Sequence, residues 1–91
     1  MNGRYLKMAD ETEIDGGEAG YNQGFLWCYF TGYTLPEAAA IFFDHEKTNV
    51  IEFHYGEMVD TYNGFTDCVN LGVDVDGKVS VCMKKGAASV V

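Results

Sequence analysis

Cysteine and histidine are the side chains of this sequence that could act as nucleophile, base or metal ligand. The three cysteines, Cys28, Cys68 and Cys82, and the two histidines, His45 and His54, lie far apart along 91 residues, and no pair has C-x-x-C spacing. Structural zinc sites usually take their ligands in close pairs, and a cysteine nucleophile needs a base held beside it. No G-x-S-x-G, H-E-x-x-H or P-loop pattern occurs either. We therefore expect no catalysis, no zinc site and no cofactor.

The segment Asp74–Gly77 weakly resembles a calcium-binding loop. When Gly77 is aligned with the loop glycine, Gly72 and Met83 fall at the first and twelfth ligand positions. An EF-hand needs acidic side chains there, because the twelfth residue supplies two oxygens. The sequence therefore predicts no calcium site.

The same segment predicts a β-hairpin with the three-residue loop Val75-Asp76-Gly77. This loop sets Asp74 opposite Lys78 and places Gly77 in the left-handed conformation that such a loop requires. It also brings apolar residues together on one face of the hairpin, in the pairs Val73–Val79, Leu71–Val81 and Val69–Met83. A two-residue loop would mix the core and solvent faces, so the three-residue register is preferred.

The elements that would carry these residues follow the order β-β-α-β-β-β. Alternating or aromatic apolar runs predict strands at Arg4–Met8, Phe25–Thr31, Val50–Tyr55 and Phe65–Val73, with a last strand after Gly77. The acidic, glycine-containing segment 9–24 is predicted to be a solvated loop, and 57–64 a polar connection. The expected fold class is α+β: one domain over residues 1–91, with an antiparallel sheet of four to five strands and one helix packed on a face.

The helix is marked by the capping box Thr34-x-x-Glu37 with Pro36 in the first turn. It is predicted to end near Glu46. At 100° per residue the stripe that should face the sheet consists of Leu35, Ala38, Ala39, Phe42 and Phe43. The opposite, exposed side then carries Glu37, Ile41 and Asp44, an apolar residue between two acids.

The charge balance limits the partners. Fourteen acidic residues against six basic ones give a net charge of −8, which repels phosphate backbones and anionic lipid and steers the chain toward a basic protein surface. The longest apolar run, Ala38–Phe43, is too short for a membrane helix. An odd number of cysteines and a polar N-terminus without a signal-peptide core favour a cytoplasmic location.

Two acidic surfaces are the predicted partner-binding sites. The first consists of Asp10, Glu11, Glu13, Asp15 and Glu18, and the second of Glu37, Ile41 and Asp44. In composition the chain resembles the small inhibitors of phages and mobile elements, such as anti-CRISPR, anti-restriction and immunity proteins. That resemblance implies a non-enzymatic module that occupies a basic, nucleic-acid-binding surface, with carboxylates where phosphates would stand. The alternatives are a structural or accessory subunit whose acidity is incidental and, third, a small metal protein or enzyme.

Overall fold

Eight strands and two helices make up residues 3–86, the part of the chain that the computed structural model describes. The elements are β1 (Arg4–Lys7), β2 (Glu13–Asp15), β3 (Glu18–Asn22), β4 (Phe25–Phe30), α1 (Leu35–Phe42), α2 (His45–Thr48), β5 (Val50–Tyr55), β6 (Met58–Asn63), β7 (Asp67–Val73) and β8 (Val79–Lys84). Strands β2-β1-β5-β6 form sheet 1 and strands β3-β4-β8-β7 form sheet 2, and all neighbours are antiparallel. The predicted α+β class, with antiparallel strands and a helix packed against them, is confirmed.

The segment 9–24, predicted to be a solvated loop, instead contains β2 and β3. Ile14 is fully buried between exposed Glu13 and Asp15, so β2 contributes one core side chain to sheet 1. Strand β3 joins β4 through Gln23 and Gly24, both of which have positive φ. The polar connection 57–64 likewise contains β6, which pairs with β5 around the turn at Gly56 and Glu57. Pairing to a neighbour, not intrinsic preference, makes these polar segments strands.

One hydrophobic core joins both sheets and α1. Alternate residues of β4, namely Leu26, Cys28 and Phe30, point inward and are buried, as the two-residue period of a strand requires. Sheet 1 contributes Leu6, Ile14, Ile51 and Phe53, sheet 2 adds Val79, Val81 and Met83, and α1 adds Ala38, Ile41 and Phe42. The rings of Phe30 and Phe42 stack with centroids 5.4 Å apart, which anchors the helix on sheet 2.

The predicted capping box is present at the start of α1. The Thr34 hydroxyl accepts from the backbone N–H of Glu37 at 3.3 Å, and the Glu37 carboxylate accepts from the N–H of Thr34 at 2.9 Å. The helix ends at Phe42 and not near Glu46, because Asp44 begins the separate helix α2. Its carboxylate accepts from the N–H of Glu46 at 3.0 Å. Neither helix is long and apolar enough to cross a membrane.

The face that α1 buries differs from the predicted one. Ala38, Ile41 and Phe42 are buried, whereas Leu35 and Phe43 are exposed. At 100° per residue the buried face is rotated by roughly 80° from the predicted stripe. Ile41, predicted to be an exposed contact residue, is only 7% exposed and belongs to the core.

The β7–β8 hairpin has the predicted three-residue loop. Gly77 has φ +79°, the N–H of Asp74 donates to the carbonyl of Lys78, and Val73 faces Val79 as Leu71 faces Val81. The predicted pair of Val69 and Met83 is wrong. A β-bulge between Cys68 and Asn70 removes Val69 from the ladder, so Cys68 lies opposite Met83.

Candidate protein-docking surface

The cysteines lie where burial disfavours the reactive thiolate. Cys28 is fully buried, and this raises the pKa of its thiol to about 12. Burial also raises the pKa values of Cys68 and Cys82. A thiol that stays protonated is a poor nucleophile and metal ligand, and residues 3–86 contain no cluster of three or more His, Cys, Asp or Glu side chains suited to a metal ion. The three thiols are free.

His54 belongs to a polar cluster on the outer face of sheet 1. Its ring nitrogen Nε2 lies 2.8 Å from Oε1 of Glu52, and its ring stacks on Tyr5 with centroids 4.4 Å apart. Across the neighbouring strands, Lys7 faces Glu52 and Glu13, and Tyr5 faces Asp15. These contacts hold the imidazole against the sheet, where it has no cysteine partner.

The first predicted acidic surface is divided between two strands and a turn. Glu11 forms an ion pair with Lys7 at 3.0 Å, and Glu18 forms one with Arg4 at 2.9 Å. Glu13 and Asp15 lie on the exposed side of β2, an edge strand of sheet 1. The Asp10 carboxylate accepts from the backbone N–H of Thr12 at 3.1 Å, and hydrogen bonds from the side chain and the backbone of Thr12 lower the pKa of Asp10. Asp10, Glu13 and Asp15 are all exposed to solvent.

The turn that joins β1 and β2 brings this surface to the helices. The backbone N–H of Ala9 donates to the carbonyl of Lys47 at 2.8 Å, which fixes the turn against α2. The side-chain ammonium of Lys47 in turn donates to the carbonyl of Ala40 at 3.4 Å. The turn that carries Asp10 and Glu11 therefore contacts α2 at Lys47. Sequence separation alone gave no indication of this proximity.

An apolar groove lies beside the helix, between α1 and β7. Its lining comes from two short stretches of chain, Leu35, Pro36, Ala39 and Phe43 on one side and Cys68, Val69, Asn70 and Leu71 on the other. Its volume is about 540 Å³, within the range of sites that accept ligand groups. The groove forms because α1 turns Ala38, Ile41 and Phe42 into the core and leaves its neighbouring stripe of Leu35, Ala39 and Phe43 facing outward.

Phe43 connects this groove to the carboxylates of α2. It follows the last residue of α1, is 58% exposed, and lines both the groove and a second hollow formed with Ala39, Ala40, Asp44, His45 and Glu46. An aromatic ring this exposed leaves much apolar surface in contact with water, so it is a strong candidate for burial by a partner. Phe43 thus occupies the position that the sequence assigned to Ile41: an apolar side chain next to acids.

One signal in the sequence could have identified Phe43. Asp44 is a good helix N-cap, so a new helix starting at His45 implies that α1 ends just before it. A residue at the end of one helix and before the cap of the next is held at a corner, where complete burial is difficult.

The sequence matches no family model, and the chain matches no curated protein and no solved structure.

Proposed function

We propose that this chain is a non-enzymatic, acidic binding module for a protein with a basic surface, and that Phe43 is its apolar anchor. The observation that carries the proposal is the exposure of Phe43 between an apolar groove and the carboxylates of Asp44 and Glu46. Interfaces commonly place an aromatic residue at the centre and polar residues around it. The net charge of −8 would speed the encounter with a basic partner.

The form of binding that we favour is inhibition, in which the module covers a surface that otherwise binds nucleic acid. Glu13 and Asp15 lie two residues apart on one side of β2, roughly 6.7 Å along the strand. That separation resembles the spacing of neighbouring phosphates on a nucleic-acid strand. Exposed Glu37 at the start of α1 and half-buried Asp44 before α2 add further acidic groups. These carboxylates would pair with the lysines and arginines that hold phosphates.

A selection experiment tests the proposal and does not require the partner to be identified first. A displayed library of random peptides is selected on the immobilised chain, on Phe43→Ser and on Met58→Ser. Met58 is a matched control because it is 57% exposed but lies on β6 of sheet 1. We expect peptides with lysine or arginine around an apolar residue, bound by the native chain and Met58→Ser and lost on Phe43→Ser. Peptides that are neutral or acidic, or that bind Phe43→Ser equally well, would overturn the proposal.

Charge variants then test the electrostatic part with the same selected peptides. Glu37→Gln with Asp44→Asn removes two charges and keeps two helix caps, because glutamine and asparagine still accept hydrogen bonds. This neutral variant should associate more slowly than the native chain. Reversal of both residues to lysine should slow association further, because it sets like charge against the peptide. Association of the native chain should also slow as salt rises past ~0.15 M. The control is Glu57→Lys in the exposed β5–β6 turn. Equal rates for the native and reversed chains would mean that the acidity serves only solubility.

A further inference from the structure

Strand β7 is an edge strand of sheet 2, and the apolar groove runs beside it. In the sheet order β3-β4-β8-β7 it pairs with β8 on one side only. Beyond the bulge at Val69, the stretch Asn70–Val73 has no lysine, no proline and no charge to protect its other side from pairing. Edge strand β2, by contrast, carries Glu13 and Asp15.

The register with β8 shows which backbone groups of β7 face outward. The N–H of Asp74 donates to the carbonyl of Lys78, so these two residues form a hydrogen-bonded pair. In an antiparallel ladder such pairs alternate with pairs whose backbone groups point away from each other. Val73–Val79 and Leu71–Val81 are pairs of the second kind. The N–H and C=O groups of Leu71 and Val73 therefore point to the free edge, and within residues 3–86 these N–H groups donate to no turn or loop carbonyl.

The helix provides the second half of a binding site along this edge. Leu71 and Cys68 lie on the face of sheet 2 that points toward the core, and both line the groove with Leu35, Ala39 and Phe43 of the helix side. A strand added next to β7 would lie about 4.8 Å further out in the same sheet. Its inward side chains would then enter the groove against the exposed stripe of α1. Backbone pairing and apolar burial would occur together, as in other cases of strand addition.

We propose that the partner contributes an extended segment that adds to β7 as a fifth strand of sheet 2, with alternating apolar and basic side chains. This inference rests on the proposed function and names its mode of binding. Apolar residues of the segment would fill the groove beside Phe43. Its basic residues would point to the opposite face of sheet 2, where Asp67 and Asp74 lie at the two ends of β7. The bulge at Val69 interrupts the ladder, so pairing extends over about four residues, Asn70–Val73.

A proline substitution separates edge pairing from other contacts. Val73→Pro removes an outward N–H and leaves the ladder to β8 intact, which an edge strand tolerates. Val59→Pro is the matched control, because Val59 lies on edge strand β6 and is 48% exposed against 42% for Val73. Val59 is one pair beyond Tyr55–Met58, the hydrogen-bonded pair that closes the β5–β6 turn, so its N–H also points outward. The apolar groove beside α1 is lined by no residue of β6.

The probe is the synthetic peptide Lys-Ile-Lys-Val-Lys-Ile-Lys, titrated into isotope-labelled protein and followed by NMR. We expect shifts and slowed amide exchange at Leu71 and Val73, unchanged signals at Val59, and affinity lowered at least about threefold by Val73→Pro, the effect of one lost hydrogen bond. Val59→Pro should bind like the native chain. A peptide N-methylated on the amides of its isoleucine and valine residues should also bind more weakly, and this test leaves the protein's fold untouched.

The outcomes distinguish this inference from the function on which it rests. Equal binding of the N-methylated peptide, shifts confined to β6, or no binding of the probe would overturn strand addition at β7. If peptides selected from the random library still depend on Phe43 in any of these cases, the docking surface stands and only its mode is wrong. If no selected peptide depends on Phe43, both proposals fail.

Discussion

Asp74 and Lys78 face each other across the β7–β8 turn and are joined twice. The N–H of Asp74 donates to the carbonyl of Lys78 at 3.0 Å, and the Asp74 carboxylate accepts the N–H of Lys78 at 2.9 Å. The Lys78 ammonium lies 5.3 Å from the ring centroid of Tyr29. The turn between β1 and β2 has the same pattern of backbone hydrogen bonds. There the N–H of Met8 donates to the carbonyl of Thr12, and the N–H of Glu11 donates to the carbonyl of Met8, as that of Gly77 does to Asp74.

Replacement of Gly77 by valine should destabilise the protein by on the order of 1–2 kcal/mol or more, because a β-branched side chain resists positive φ. The matched control is Gly72→Val in the same hairpin. Gly72 has ordinary strand geometry and open space at its Cβ position, so valine there should be neutral or stabilising. Urea unfolding of both variants measures the difference. Equal losses would mean that the conformation of Gly77 is not what the turn depends on.

Substitution of Ile41 should lower stability, whereas substitution of Phe43 should lower the affinity for peptides. Ile41→Ala leaves a cavity in the core and should cost about 2–4 kcal/mol of unfolding free energy. Phe43→Ala removes an exposed ring and should cost less than about 1 kcal/mol, yet abolish the binding of selected peptides. Thermal unfolding and peptide affinity, measured on both variants, check this. Loss of binding by a fully folded Ile41→Ala chain with intact binding by Phe43→Ala would contradict the assignment of the anchor.

The capping box should make stability depend on pH in the acid range. Hydrogen bonds from Thr34 lower the pKa of Glu37 below its ordinary value. The folded carboxyl therefore holds its proton less tightly than the unfolded one, so its contribution is present above the ordinary glutamate pKa and is lost as pH falls through the lowered value. Glu37→Gln should flatten the decline of the urea midpoint between about pH 6 and about pH 3. An unchanged slope would assign the decline to other carboxyls, Asp10 among them, whose pKa is lowered too.

Chelator and reductant should leave the melting temperature within about two degrees, because no bound metal or disulfide is expected to contribute to folding. The three cysteines are free, and Cys28 and Cys82 are buried. The measurement is a thermal melt with each reagent alone and with both. A large drop with chelator alone would revive the metal-binding alternative and weaken the proposed function.

Local features of this fold could be predicted from sequence, and features that depend on distant contacts could not. The capping box of Thr34 and Glu37 and the Gly77 turn need only a few neighbouring residues. The rotation of α1 depends on how two sheets share one core, and the wide apolar surface of the helix fits more than one orientation. The strand around Ile14 depends on partners in β1, and the bulge at Val69 on the rest of sheet 2. The candidate site combines these distant contacts, so sequence reasoning found its acids and missed Phe43.

The turn at Asp76 and Gly77 also bears on how the protein ages. An aspartate followed by glycine can close to a succinimide and reopen as isoaspartate, because glycine offers no side chain to hinder attack by its nitrogen. In the folded chain that nitrogen is engaged, since the N–H of Gly77 donates to the carbonyl of Asp74 at 3.0 Å. We expect ring closure to be slow in the native protein and faster once the hairpin opens. Isoaspartate at position 76, detected by peptide chromatography after storage, would then record how much time the molecule has spent unfolded.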